Sequence, residues 1–415
     1  MALFGRSDIL SLDDLEPAAR RFLPKPVFGY IQGGSESETS VRGNRAAFDD
    51  YRFLPRVLVD VSRGSQEREI FGHTYAAPFG IAPVGLSALS AYRGDVVLAR
   101  AARTANVPMI VSGSSLIPLE AIFEAHSEAW FQAYLPGDPA QIDALIERVA
   151  RAGFATLVIT ADTPVPSNRE NHVRAGFNAP LRPSAALAWQ GLSHPGWLFG
   201  TFVKTLLRHG MPHFENNYAT RGAPILSRNV LRDYSDRGHL AWPHFEHIRR
   251  LWKGRLVLKG VLHPDDAVRA CAAGADAVIV SNHGGRQLDG AVSALHMIER
   301  IVAVCDRTPV MLDGGFRRGT DVLKALALGA RFAFLGRPFI YAAAVGGEAL
   351  VAKAIALLKK EIAIDMALLG INSLGELSAE RQLVRAPWSG APVPTAAMAP
   401  ASASPSPAAS GNRPR

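Results

Sequence analysis

Ala277-Val278-Ile279-Val280-Ser281 is an apolar run that stops on a hydroxyl, and Asn282-His283-Gly284-Gly285-Arg286-Gln287-Leu288-Asp289 follows it. A short run that is apolar at nearly every position has no wet face, so it reads as a strand buried on both sides, as in parallel sheets. Seven similar runs occur from about Pro78 onward: Phe79-Gly80-Ile81-Ala82-Pro83, Pro108-Met109-Ile110-Val111-Ser112, Trp130-Phe131-Gln132-Ala133-Tyr134, Thr156-Leu157-Val158-Ile159-Thr160, Arg255-Leu256-Val257-Leu258-Lys259, Pro309-Val310-Met311-Leu312-Asp313 and Phe332-Ala333-Phe334-Leu335-Gly336. Longer amphipathic stretches separate them, and strands alternating with helices call for a parallel sheet. The expectation is an α/β protein, a (β/α)8 TIM barrel, whose active site lies at the strands' C-terminal ends. Runs finishing in Ser112, Thr160, Lys259, Ser281 and Asp313 fit that expectation. Any one of these residues could instead cap a helix; five together favour a site.

The rest of the chain is organised around this barrel. Ser11 to Asp60 reads as a helical N-terminal region punctuated by Gly33-Gly34. Roughly ninety residues separate the fourth run from the fifth, far beyond an ordinary loop, so an insertion of about residues 170–250 is expected as a lid or a docking element. Residues 1–385 are taken as one domain, and 386–415, rich in Ala, Pro and Ser, as a disordered tail. Two cysteines, Cys271 and Cys305, each in an apolar helical pattern, suggest reduced thiols and a cytoplasmic location. Met1 to Arg20 is broken by Arg6, Asp8, Asp13, Asp14 and Glu16, so no signal peptide or membrane span is expected there.

The net charge of +8 is compatible with nucleic acid, an anionic lipid surface or acidic small molecules. Between Lys204 and Arg255 there are ten Lys/Arg against four Asp/Glu, yet no nucleic-acid-binding pattern accompanies them, and no nucleic-acid partner is expected. The twelve histidines show no HExxH or CxxC spacing, so no metal is expected. His283 and Arg286, three residues apart at a strand exit, suit an acidic substrate: the guanidinium can hold a carboxylate while the imidazole takes a proton from the neighbouring carbon's hydroxyl. A lone histidine at a strand end is more often structural; its neighbours reverse that balance.

The runs Ser281 to Asp289, Leu312-Asp313-Gly314-Gly315-Phe316-Arg317-Arg318-Gly319-Thr320-Asp321, Lys324 to Ala330 and Gly336-Arg337-Pro338 closely resemble the FMN-dependent L-2-hydroxy acid oxidases and dehydrogenases. The likeness extends from about Leu10 to about Leu377. It implies that His283 is the catalytic base and that Asp162 stabilises its protonated form. It implies that Arg169, Arg286 and Tyr30 hold the substrate carboxylate, and that Tyr134 donates to the substrate oxygen. Ser167 departs from the family's usual glycine just before Arg169. For the cofactor FMN, the resemblance assigns Pro83, Val84, Gly85, Ser112, Gln132, Thr160 and Ser281 to the ring. Lys259 falls beside flavin N1 and O2, and Asp313-Gly314-Gly315 opening a helix, Arg317, and Gly336-Arg337 fall to the phosphate.

The implied reaction is oxidation of a small 2-hydroxy acid, of lactate or mandelate type, to the 2-oxo acid, by hydride transfer or through a carbanion. Gly85 lies where oxidases of the family commonly carry alanine, which favours a dehydrogenase passing electrons to a quinone or another carrier over an oxidase producing hydrogen peroxide. Other flavin barrels need no paired carboxylate clamp; an inactive barrel that binds lipid or nucleic acid through its basic insertion is the rival of a different class. Within the insertion, Leu187 to Phe214 sets Trp189, Trp197, Phe199, Phe202, Leu206 and Leu207 among Lys204, Arg208 and His209. That mixture suits either a lid or a peripheral anchor on the inner face of the cytoplasmic membrane, and it looks like the membrane segment of mandelate dehydrogenase. Members of the family often form tetramers, so a homotetramer is a further expectation.

Overall fold

The computed structural model describes residues 8–178, 181–227 and 237–386. Eight strands, β1 (Phe79–Ile81), β2 (Ile110–Ser112), β3 (Trp130–Ala133), β4 (Thr156–Thr160), β5 (Arg255–Val261), β6 (Ala277–Val280), β7 (Val310–Asp313) and β8 (Ala333–Leu335), fall within or across the eight predicted runs. They pair in parallel in the order β1-β8-β7-β6-β5-β4-β3-β2, and a parallel bridge from Ile81 to Met109 joins β1 to the lead-in of β2 and closes the ring. Burial on both faces explains why the runs lack alternation. Ala277 and Ile279 of β6 join Val158, Val257 and Met311 in the barrel interior, whereas Val278 and Val280 face the surrounding helices.

The helices of the outer ring are α4 (Gly94–Ala105), α5 (Leu119–Ala125), α6 (Pro139–Arg151), α10 (Trp242–Leu251), α11 (Pro264–Ala272), α12 (Ala294–Val304), α13 (Gly319–Ala327) and α14 (Arg337–Leu369). Helix α6 shows the local logic. Asp138 accepts from the Gln141 amide at 3.0 Å, Pro139 occupies the first turn, and Ile142, Leu145, Ile146 and Val149 form one buried stripe. Helix α14 is long and apolar enough to cross a membrane, yet it packs as a barrel helix and breaks at Gly347, where φ is +59°. A hairpin of Arg68–Ile70 and His73–Tyr75 covers the N-terminal end of the barrel, with Ile70 and Tyr75 in the interior cluster and Tyr75 edge-on to Phe332 at 5.7 Å.

Ahead of the barrel lie α1 (Leu15–Phe22), α2 (Lys25–Gln32) and α3 (Thr39–Ala46). The helical region ends sooner than the expected Asp60: a 3-10 turn runs to Asp50, and Tyr51–Phe53 then pairs antiparallel with Leu383–Arg385. The cause is tertiary, because the partner strand comes from the far end of the sequence. Of the expected tail, Ala386 donates to Asp50 O at 2.7 Å, and residues 387–415 lie outside the described residues.

The long insertion carries α7 (Glu170–Ala175), α8 (Ala185–Leu192) and α9 (Lys204–His209). Its aromatic groups divide. Trp197 is buried, donates to Leu89 O at 2.8 Å and stacks on Phe202; Trp189, Leu192, Phe199 and Leu207 are exposed. Residues 179–180 and 228–236, including Arg228 and Arg232 of the basic stretch, lie outside the described residues. Cys305 is buried and Cys271 half-buried, both free. Burial pushes the Cys305 thiol up to about 12, and Cys271 sits beside it, so the two thiols are neighbours despite their separation in sequence.

Candidate active site

One cavity of about 680 Å³ opens at the C-terminal ends of the strands. His283 enters it from the loop after β6, with Asp162 behind it from the loop after β4. His283 Nδ1 lies 2.8 Å from Asp162 Oδ1, so the Nδ1 hydrogen donates to the carboxylate and Nε2 carries the lone pair. Nε2 lies 3.4 Å from the Tyr134 hydroxyl. Burial lowers the His283 pKa against the opposing pull of Asp162, which leaves the ring neutral and able to accept a proton. Burial alone would raise Asp162, but its pairing with His283 and the nearby Lys259 cation hold it below the usual carboxylate range. An ionised acid therefore backs a neutral base. Burial also raises the pKa of the Tyr134 phenol, which keeps it a donor.

His283 has a φ of +57°, and Gly284 and Gly285 follow at +64° and +76°. A left-handed run that includes a bulky side chain is strained, and persists where its surroundings fix it. The Ser281 hydroxyl accepts from the His283 amide at 2.9 Å and from Lys259 Nζ at 2.8 Å. Lys259 also pairs with Asp313 at 2.9 Å. Burial opposes its charge, but Asp313 and Asp162 outweigh that and raise its pKa, so a cation is fixed in the cavity wall.

Arg169 and Arg286 line the same cavity. Arg286 Nη1 donates to Gly33 O at 2.7 Å, and its guanidinium lies 5.1 Å from the centre of the Tyr30 ring. Burial, then the neighbouring Arg169, brings the Arg286 pKa down to about 9, the cost of two cations held together where an anion would relieve them. Ser167, the departure from glycine, has a defined place: it accepts from Arg169 Nε at 2.8 Å and donates to Arg286 O at 2.7 Å. The chain path before Arg169 is thus pinned by that hydroxyl. Gln287 links the two halves of the site, accepting from Arg169 Nη2 at 2.7 Å and donating to Asp162 O at 3.0 Å. Gln287, His172 and Arg237 also line the cavity and were not singled out in the sequence. The motif around His283 contained Gln287; nothing local marked the other two, because α7 and the end of the insertion meet the site only in the fold.

Pro83, Val84, Gly85, Thr160, Lys259, Asp313, Gly314, Gly315, Arg317, Gly336 and Arg337 line the cavity as well. Ser112, Gln132 and Ser281 do not; they are buried one layer below. The Gln132 amide accepts from the Gly113 N–H at 3.2 Å, while its Nε2 and Asp313 Oδ1 are buried without a hydrogen-bond partner. Orphaned groups under an open cavity, a fixed lysine and cations at one end fit a polar-edged aromatic cofactor with a phosphate tail. One expectation is corrected. Asp313-Gly314-Gly315 does not open a helix: α13 begins at Gly319, and its first turn is already occupied, because Asp321 accepts from the Arg317 and Arg318 amides and Glu361 from the Gly319 amide. The helix start that faces the cavity is that of α14, at Gly336 and Arg337.

A family model of FMN-dependent dehydrogenases matches residues 19–385. An L-lactate dehydrogenase of Caulobacter sp. (strain K31) is 40% identical over 378 residues, covering 89% of this chain and 97% of the relative. An (S)-mandelate dehydrogenase of Pseudomonas putida is 36% identical over 373 residues, with 89% and 93% covered. Among solved structures, a monotopic membrane protein (S)-mandelate dehydrogenase superposes with a TM-score of 0.81 at 34% identity, covering 90% of this chain and 99% of that one. A mandelate oxidase follows at 0.74 and 35%, with 91% and 99% covered. The chain belongs to the FMN-dependent 2-hydroxy acid oxidase and dehydrogenase family.

Proposed function

We propose that this protein oxidises an L-2-hydroxy acid of lactate or mandelate type to the 2-oxo acid, with His283 as the base, and passes the electrons to a quinone or another carrier. The observation that carries the reading is the convergence of a neutral histidine, backed by an ionised aspartate, and two half-buried arginines on one cavity. Arg169 and Arg286 bind the substrate carboxylate and fix its orientation. His283 Nε2 takes the hydroxyl proton, Asp162 stabilises the imidazolium that results, and Tyr134 donates to the substrate oxygen. The Gly314-Gly315 loop, Arg317, Arg337 and the start of α14 would hold the FMN phosphate, with Lys259 beneath the ring's electron-rich edge. Bound FMN supplies the two-electron acceptor. Gly85 supports the preference for a carrier over oxygen.

Anaerobic titration of the flavin-loaded protein with lactate, mandelate and glycolate should bleach the flavin with at least one of them. His283→Gln should retain FMN and lose that bleaching by about 100-fold or more. Bleaching at the native rate in the variant rejects the base, and stoichiometric peroxide at a fast rate in air rejects the carrier.

A membrane-docked state is supported by a separate observation. Trp189, Leu192, Phe199 and Leu207 are exposed on the insertion beside Lys204, Arg208 and His209, and a structural relative is described as monotopic. Exposed apolar groups among cations suit the interface of an anionic bilayer.

A further inference from the structure

Helix α3 forms a wall shared by two loops. At Gly285, in the loop that carries His283, a Cβ would lie 2.6 Å from Val41 N; at Gly315, in the loop after β7, it would lie 2.3 Å from Asn44 O. The helix backbone therefore approaches both loops too closely for any side chain but hydrogen. Between these contacts Asn44 faces Asn282 in a reciprocal amide pair: each Nδ2 donates to the other's Oδ1 at 2.8 Å. Asn282 Oδ1 accepts in addition from the Gly285 amide at 3.1 Å, and its Nδ2 reaches Val292 O at 3.2 Å. Both side chains are buried, so removing either strands polar groups that water cannot reach. Asn282 immediately precedes His283, whose left-handed backbone needs such restraint. Asn44 Nδ2 also lies 3.5 Å from where a Cβ of Gly314 would be.

We propose that Asn44 is a positioning residue that ties the phosphate loop at Gly314-Gly315 to the loop of His283, so that FMN binding and the placement of the base are set together. This rests on the reading of His283 as base and of Gly314-Gly315 as phosphate loop. Asn44 has no charge; burial sets the titration of His283 first, and the groups facing it are Asp162, Lys259, Arg169 and the Tyr134 hydroxyl beside it. A changed titration in an uncharged Asn44 variant therefore reports movement of the ring, through its burial or its distance to those groups.

The test uses the full chain with Asn44→Ala and with Asn44→Leu, which is close to isosteric and uncharged but can neither donate to nor accept from Asn282. FMN affinity is measured by the fluorescence of released flavin, and the acid limb of the pH profile by anaerobic substrate bleaching. Both variants should bind FMN about tenfold more weakly and move the acid limb by about half a pH unit or more. Asn44→Ala combined with Asn282→Ala should weaken FMN no more than the worse single change, because one interaction is lost once. The proposal is overturned if affinity moves without the acid limb, if the limb moves without affinity, if neither moves, or if the double variant is additive. Should Asn44→Ala fail to fold, Asn44→Leu decides. Failure of the base reading is separable, since it shows as native bleaching in His283→Gln with Asn44 intact.

Discussion

Asp162 touches His283 with one oxygen and has its other oxygen buried without a hydrogen-bond partner. Its contribution is therefore concentrated in a single contact that strengthens when the imidazole becomes charged. Asp162→Asn should keep the ring in place but remove that stabilisation, slowing substrate-driven bleaching by about 100-fold or more in rapid mixing under anaerobic conditions; a fall of less than threefold would remove Asp162 from the chemistry. Because the His283 pKa is lowered and the base must be neutral, the rate should rise with pH through a midpoint below the ordinary imidazole value and stay high until Arg286, brought down to about 9, begins to lose its charge. At this scale the sequence carried much of the site: His283, Arg286, Lys259 and Asp313 end strands or follow them directly. His172 and Arg237 were not legible, since each reaches the cavity from a connection whose path depends on packing. Ser112 and Ser281 were legible as run ends and Gln132 only through the family resemblance, but their depth below the cavity surface follows from the fold.

The elements follow their runs closely because each barrel strand is buried on both faces, which leaves a sequence signal independent of partners. The two edges where the reading slipped have the opposite character. Tyr51–Phe53 becomes a strand only because Leu383–Arg385 comes to meet it, and α13 starts late because Asp321 and Glu361 claim its first amides. The insertion's apolar groups divide: Trp197 and Phe202 pack inward, while Trp189, Phe199 and Leu207 face out. If the outward set meets lipid, a triple change of Trp189, Phe199 and Leu207 to Ser should reduce co-sedimentation with anionic vesicles by about tenfold or more and leave anaerobic bleaching unchanged. Equal sedimentation of the variant and the parent protein would refute the anchor.

For the molecule as a whole, the barrel carries at least one buried acid that is not used by the proposed chemistry. Asp95 of α4 is 1% exposed, and burial raises its pKa to about 6, only partly offset by the Ser87 and Ser115 hydroxyls. The folded value exceeds the unfolded one, so the folded state binds this proton more tightly. The contribution is complete below about pH 4 and is lost as pH rises through 6, a difference on the order of 3 kcal/mol. Asp95→Asn should therefore raise the Tm at pH 7.5 and leave it little changed near pH 4.5; an equal or lower Tm at pH 7.5 would contradict this account.

The hairpin that carries Ile70 and Tyr75 stoppers the far end of the ring. Among the described residues the large cavity opens at the opposite end, so on the proposed reading substrate and electron acceptor reach the flavin from that side.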